Sequence, residues 1–151
     1  MAQWKNILMA VDEGETSLRA LRYVARMTAA MTEISICLLH IYPEPPPDFY
    51  PNGGVLEVYR AEKEQRAEMI FAESERVLTQ AGIQPGAIRR AIHPAAGKTI
   101  SQMVLEVQRE GGYGTVVVGK RGVSKAEEFL FGSISNALAR NSSRFTTWVV
   151  G

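Results

Sequence analysis

Apolar positions along this chain follow two alternating rhythms. Five short runs rich in β-branched residues, at 7–11, 34–41, 87–92, 115–118 and 146–150, read as strands. The first, second and fourth are nearly continuous apolar runs, the pattern of strands covered on both faces of a parallel sheet. The third and fifth are shorter and more mixed, which places them toward the edges. Between the strands the spacing turns helical. Leu18, Leu21, Val24, Ala25, Thr28 and Met31 form one stripe, with Thr16 or Ser17 as N-cap. Ala67, Ile70, Phe71, Ser74, Val77, Leu78 and Ala81 form a second, closed by Gly82, and its more charged upstream turns, 55–66, face solvent in part. Ile100, Met103, Val104 and Val107 form a third, opened by Pro94 and closed by Gly111 and Gly112. A last, shorter helix is expected from about Ser133, carrying Ile134, Ala137 and Leu138.

Strict alternation of strand and helix predicts an α/β domain with a parallel sheet and right-handed crossovers. No internal repeat or linker interrupts it, so residues 1–151 are expected to form one domain. One segment breaks the rhythm. YPEPPPDFYPNGG, 42–54, holds five of the seven prolines and cannot be regular structure. It reads as a semi-rigid surface loop first and a lid second.

Composition narrows the function classes. Seventeen basic and sixteen acidic residues leave a formal charge of +1, without the basic stripe or block that nucleic acid or a membrane surface requires. The single cysteine, Cys37, sits in the apolar run ISICLLHI and is expected in the core, so no disulfide framework exists. Between Asn6 and Asp12 the apolar stretch is too short for a signal peptide or a membrane span, which points to the cytoplasm.

Candidate chemistry gathers late in the chain, in VVVGKRGVSKAEEFLFGSIS. Ligands of open α/β sheets sit beyond the carboxyl ends of the strands. Asp12, Ile41 and Gly119 follow or end the first, second and fourth strands. Gly119 and Gly122, three apart, permit a tight bend and close approach of a ligand. Gly132, Ser133, Ile134 and Ser135 then open a helix whose free N–H groups and positive dipole end favour an anion. Lys120, Arg121 and Lys125 add positive charge along the same loop. The stretch reads as a phosphate cradle divided between a loop and the next helix start.

The spacing Gly119-xx-Gly122-x9-Gly132-Ser133 resembles the nucleotide-binding signature of the ATP-binding branch of the universal stress protein family. NILMAVDEGETSLRALRYVARM resembles that family's first strand and helix, CLLHIYPE its second strand, and HPAAGKTISQMVLEVQREGGYGTVVVG its third helix and fourth strand. The resemblance implies a Rossmann-like five-stranded parallel sheet in the order 3-2-1-4-5 with helices on both faces, and ATP, ADP or AMP lying across the first and fourth strands. Asp12 would lie by the adenosine end, and Ile41 would offer main-chain hydrogen bonds to adenine. Gly119 and Gly122 would pass close to ribose and phosphates. Gly132, Ser133 and Ser135 would hold the phosphates, with Mg2+ bridging them, and Ala10, Lys120, Arg121, Lys125 and Ile134 complete the expected cofactor-binding set. It also implies a homodimer through the C-terminal strand, FTTWVVG, a stress-response sensor or regulator, and at most slow ATP hydrolysis. No catalytic residue is assigned. Three positions depart from the family's pattern: Ile92 stands where glycine is common, no proline precedes the last strand, and Asn141-Ser142-Ser143 forms a polar run.

Other features read as structure. AAGKTI, 95–100, lacks the first glycine of a P-loop, since Ile92 occupies that position, so Lys98 and Thr99 are expected as surface residues of a helix's first turn. His40 and His93 have no metal-ligand spacing; His40 reads as a hydrogen-bonded structural residue. Met27, Met31, Met69 and Met103 are assigned to the core. Two rival readings remain. One is an adenine-nucleotide-processing enzyme on the same sheet; the other is an interaction module without nucleotide, working through the Pro-rich loop 43–53.

Overall fold

The computed structural model describes residues 3–119, 138, 140 and 144–151. Five strands, β1 (Gln3–Ala10), β2 (Ser35–Tyr42), β3 (Ile88–Pro94), β4 (Tyr113–Gly119) and β5 (Thr146–Val150), form one sheet in the order β3-β2-β1-β4-β5. All four pairings are parallel. The expected strand order and the edge positions of the third and fifth strands are those observed. Each crossover carries its chain back over the sheet, with α1 (Glu15–Thr28), α2 (Leu56–Gln80) and α3 (Ile100–Gly111) in the first three connections. The expected fourth helix start at Ser133 lies outside the described residues, whereas Leu138 is helical and fully buried.

A strand's period of two divides the core into two layers. Ile7 and Met9 of β1, Ile36 and Leu38 of β2, and Val117 of β4 face α1 and α2, which contribute Leu21, Val24, Ile70, Phe71 and Leu78. Leu8, Cys37, Leu39, Val116 and Val118 face the other way, onto Val104 and Val107 of α3 and onto Leu138. Burying each such side chain contributes about 1.5–3 kcal/mol.

Boundaries differ from the apolar runs for physical reasons. β1 begins at Gln3, before its apolar run, because Gln3 pairs with Tyr113 and Asn6 with Ser35. Backbone pairing extends a strand through polar residues that periodicity leaves out. β3 runs on to Pro94, so that proline ends a strand and does not open α3; Thr99 caps α3, accepting from the Gln102 N–H while the Gln102 side chain accepts from the Thr99 N–H. α1 starts at Glu15 behind Gly14, with no side-chain cap. Ser17, one of its two expected caps, is instead buried, and its Oγ accepts the Asp12 N–H at 3.0 Å. Of the four methionines assigned to the core only Met103 is buried. Met27, Met31 and Met69 are 44%, 37% and 73% exposed, because they lie on the outward sides of the helical stripes or past their end.

α2 has 25 residues, about 37 Å of helix. Ala67 is its first buried position, and Ile70, Phe71, Ser74 and Leu78 follow on the same stripe. The turns before it carry no buried residue, in agreement with their charge.

Candidate nucleotide site

The chain doubles back at β1: β2 and β3 lie on one side of it, β4 and β5 on the other. This is the topological switch point at which open α/β sheets leave a crevice. β1 ends at Ala10, and the turn into α1 is tied down residue by residue. The Val11 N–H donates to the Leu39 carbonyl at 2.8 Å. The Val11 carbonyl lies 2.9 Å from Nδ1 of His40; since a carbonyl only accepts, Nδ1 carries the proton. Gly14 N–H donates to Oδ1 of Asp12 at 2.6 Å, and Leu18 N–H to the Gly14 carbonyl at 3.2 Å. Arg66 of α2 reaches Glu13 at 3.4 Å.

The main chain of β2 now acquires a specific geometry. β1 pairs with β2 only as far as Leu39, while β3 pairs with it on to Tyr42. Along a strand the N–H and C=O groups of alternate residues point to the same side. The Leu39 carbonyl points toward β1, where it meets Val11, and the Tyr42 carbonyl points toward β3, where it accepts the Ala95 N–H at 2.9 Å. Ile41 therefore turns its N–H and C=O toward the β1 side, beyond the last residue of β1. One donor and one acceptor face the crevice side by side.

On the opposite side of β1, Gly119 ends β4 against α1. A Cβ at Gly119 would stand 2.8 Å from Cγ2 of Thr16, closer than carbon atoms approach, so the glycine lets β4 pass against the first turn of α1 without displacing that side chain. Thr16, which the sequence presented only as a helix cap, is the residue that meets Gly119 at this strand end. His93, paired with Ile41 on β3, brings an imidazole to the neighbouring strand end.

The described residues thus bring Ala10, Asp12, Ile41 and Gly119 to one end of three adjacent strands. Lys120, Arg121, Gly122, Lys125, Gly132, Ser133, Ile134 and Ser135 lie outside the described residues. Among the described residues no three of His, Cys, Asp and Glu stand together as a metal-ligand group. Lys98, the lysine of the P-loop-like stretch, forms an ion pair with Glu106 of α3. That pairing holds the Glu106 carboxyl below the usual carboxylate range.

A cavity of about 750 Å³ opens between α1 and α2, over Leu18, Leu21 and Ile70, and shares Asp12 with the crevice. The Pro-rich segment is not an open loop. Its turn closes with Phe49 N–H to Pro46 carbonyl at 3.0 Å and Gly54 N–H to Phe49 carbonyl at 2.8 Å. The rings of Tyr42, Phe49, Tyr50 and Tyr59 meet edge-on or tilted, centroids 5.1–6.4 Å apart.

A family model described as the universal stress protein family matches residues 3–150. No curated protein sequence matches the chain. Among solved structures, the chain is similar to a universal stress protein in complex with cAMP, at 20% identity and a TM-score of 0.62, covering 97% of this chain and 95% of that one. A universal stress protein from Archaeoglobus fulgidus in complex with dAMP aligns over 100% of both chains, at 14% identity and a TM-score of 0.65. A family member from Arabidopsis thaliana with AMP bound aligns over 97% of this chain and 92% of that one, at 12% identity and a TM-score of 0.64. At such identities the likeness speaks to the fold.

Proposed function

Because the chain belongs to the universal stress protein family, we propose that it binds an adenine nucleotide, ATP, ADP or AMP, across the ends of β1 and β4. The observation that carries this reading is the convergence at the switch point. The Asp12 turn, the outward main chain of Ile41 and the close approach of Gly119 to Thr16 lie at the same end of neighbouring strands. Three structural neighbours carry cAMP, dAMP and AMP. The Ile41 pair, one donor and one acceptor, complements the adenine edge, which offers an amino donor beside a ring-nitrogen acceptor.

In this reading Gly119 and Gly122 let ribose and phosphates approach the main chain. Gly132, Ser133, Ile134 and Ser135 hold the phosphates at a helix N-terminus, with Lys120, Arg121 and Lys125 supplying charge. When bound, Mg2+ would offset the charge of the phosphates held by Ser133 and Ser135. The protein acts as a single-domain, cytoplasmic stress-response sensor or regulator, homodimeric through β5, with at most slow ATP hydrolysis by electrostatic positioning. The exposed β5 edge supports the dimer, since Val149 is 44% exposed and unpaired strand edges are templates for pairing.

Titration calorimetry with ATP and AMP in the presence of Mg2+ tests the reading. Saturable binding is expected, and Gly122→Val should abolish it while leaving the circular dichroism spectrum unchanged. No binding by the wild-type chain, or unchanged affinity in the variant, would overturn the site.

A further inference from the structure

The Pro-rich segment and the crevice meet at one residue. Tyr42, next to Ile41, is buried, and its ring lies against that of Tyr59 in the first turns of α2, centroids 6.4 Å apart. Tyr59 also packs edge-on against Phe49, at 5.4 Å. Its hydroxyl donates to the Pro43 carbonyl at 2.6 Å. Gly54 completes the closure, since a Cβ there would fall 2.6 Å from the Phe49 ring. One side chain thus bolts the stretch that leaves β2 to the start of α2. The other side of the same stretch is held by the Tyr42 carbonyl and the Ala95 N–H.

We propose that this aromatic clasp, with Tyr59 as its positioning residue, holds the Ile41 main chain in place and so sets the protein's preference for adenine over guanine. The inference rests on the nucleotide reading given above. It extends that reading to residues that touch no ligand. Adenine presents a donor and an acceptor in one order, and guanine presents them in the reverse order. A rigid donor–acceptor pair distinguishes the two, because the wrong base leaves both main-chain groups unpaired. A main chain free to shift accommodates either. β1 has already ended beside Ile41, so among the described residues strand pairing holds it from the β3 side alone. The phosphate-binding stretch is remote in sequence from the clasp, so the two contributions separate. Burial, with Glu44 and Tyr42 nearby, raises the Tyr59 hydroxyl above the usual tyrosine range, so it stays a donor across neutral and mildly alkaline pH.

The test compares the full-length wild type with Tyr59→Phe and Tyr59→Ala by titration calorimetry, using ATP, GTP and inorganic tripolyphosphate. Tyr59→Phe keeps the ring and removes only the bond to Pro43. Its affinity for ATP should fall about fivefold, the effect of one hydrogen bond, while GTP and tripolyphosphate hold their wild-type affinities. Tyr59→Ala should narrow the ATP-to-GTP ratio further. In the nucleotide-free protein, hydrogen exchange at the Ala95 amide should quicken in both variants. An unchanged ATP-to-GTP ratio in both variants overturns the clasp, as does parallel weakening of all three ligands or unchanged exchange at Ala95. A wild type that binds no ATP fails earlier and takes the nucleotide reading with it. Wild-type binding with unaltered variants removes the clasp alone.

Discussion

The sheet has two edges, and they are built differently. β3 carries Arg89 and Arg90 exposed along its length and ends in Pro94. Arg90 is fastened by Nε to Glu75 at 2.6 Å and by a second nitrogen to Glu68 at 2.5 Å, both on α2, and its guanidinium lies over the Phe71 ring. Charge, proline and a covering helix are the devices by which an edge strand is closed to further pairing. β5 has none of them within its own sequence. Thr146–Val150 contains no charge and no proline, and Val149 stands open. Its inner side packs on Tyr23 of α1, whose ring meets Trp148 edge-on at 6.0 Å. One edge is finished within the chain. The other carries no such device within its strand.

Val149→Lys attacks the open edge directly. For the proposed β5 dimer, a lysine there should shift the protein toward monomer, weakening association at least about tenfold, or about 1.4 kcal/mol; light scattering across a dilution series reads it. An unaltered dimer would place the interface elsewhere. On the closed edge, Arg90→Met removes both ion pairs and should lower stability by about 1 kcal/mol at neutral pH, measured by urea unfolding. Oligomeric state should not change. Arg90 holds the Glu75 carboxyl below the usual range, by hydrogen bond first and charge second. A depressed carboxyl contributes stability above its unfolded pKa and loses it as pH falls. The gap between wild type and Arg90→Met should therefore close in acid.

Tyr113, on interior strand β4, offers a comparison with both edges. Burial first, and a hydrogen bond with Cys37 second, push its hydroxyl from 10.0 up to about 12. A raised pKa contributes stability below pH 10.0 that is lost as pH rises toward about 12. Tyr113→Phe should flatten that part of the alkaline unfolding profile. The smallest effect belongs to Met69, on the helix that covers β3 but 73% exposed. Met69→Ala should change stability by less than about 0.5 kcal/mol.

Much of the architecture was legible because burial writes itself into the sequence. Strands covered on both faces, such as 115–118, must be apolar throughout, and edge strands such as 87–92 need not be. That difference alone separated interior from edge. Periodicity could not say that Met27 and Met69 face outward, because a flexible apolar side chain is tolerated on either side of a helix. Nor could it mark Gln3–Asn6 as strand, since main-chain pairing is indifferent to side-chain polarity.

The site divides in the same way. The strand-end places of Asp12, Ile41 and Gly119 could be read from the ends of apolar runs. Thr16 and Tyr59 could not, because what matters about each is a contact with a distant residue: Gly119 for Thr16, Pro43 and Phe49 for Tyr59. Local pattern determined the elements, their order along the chain and which of them lie inside, since each follows from how neighbouring side chains meet water. Only the folded chain decided that β1 stops short of Ile41, whose main-chain donor and acceptor point past its end. Strand pairing depends on register between segments far apart in sequence, and register is a property of the assembled sheet.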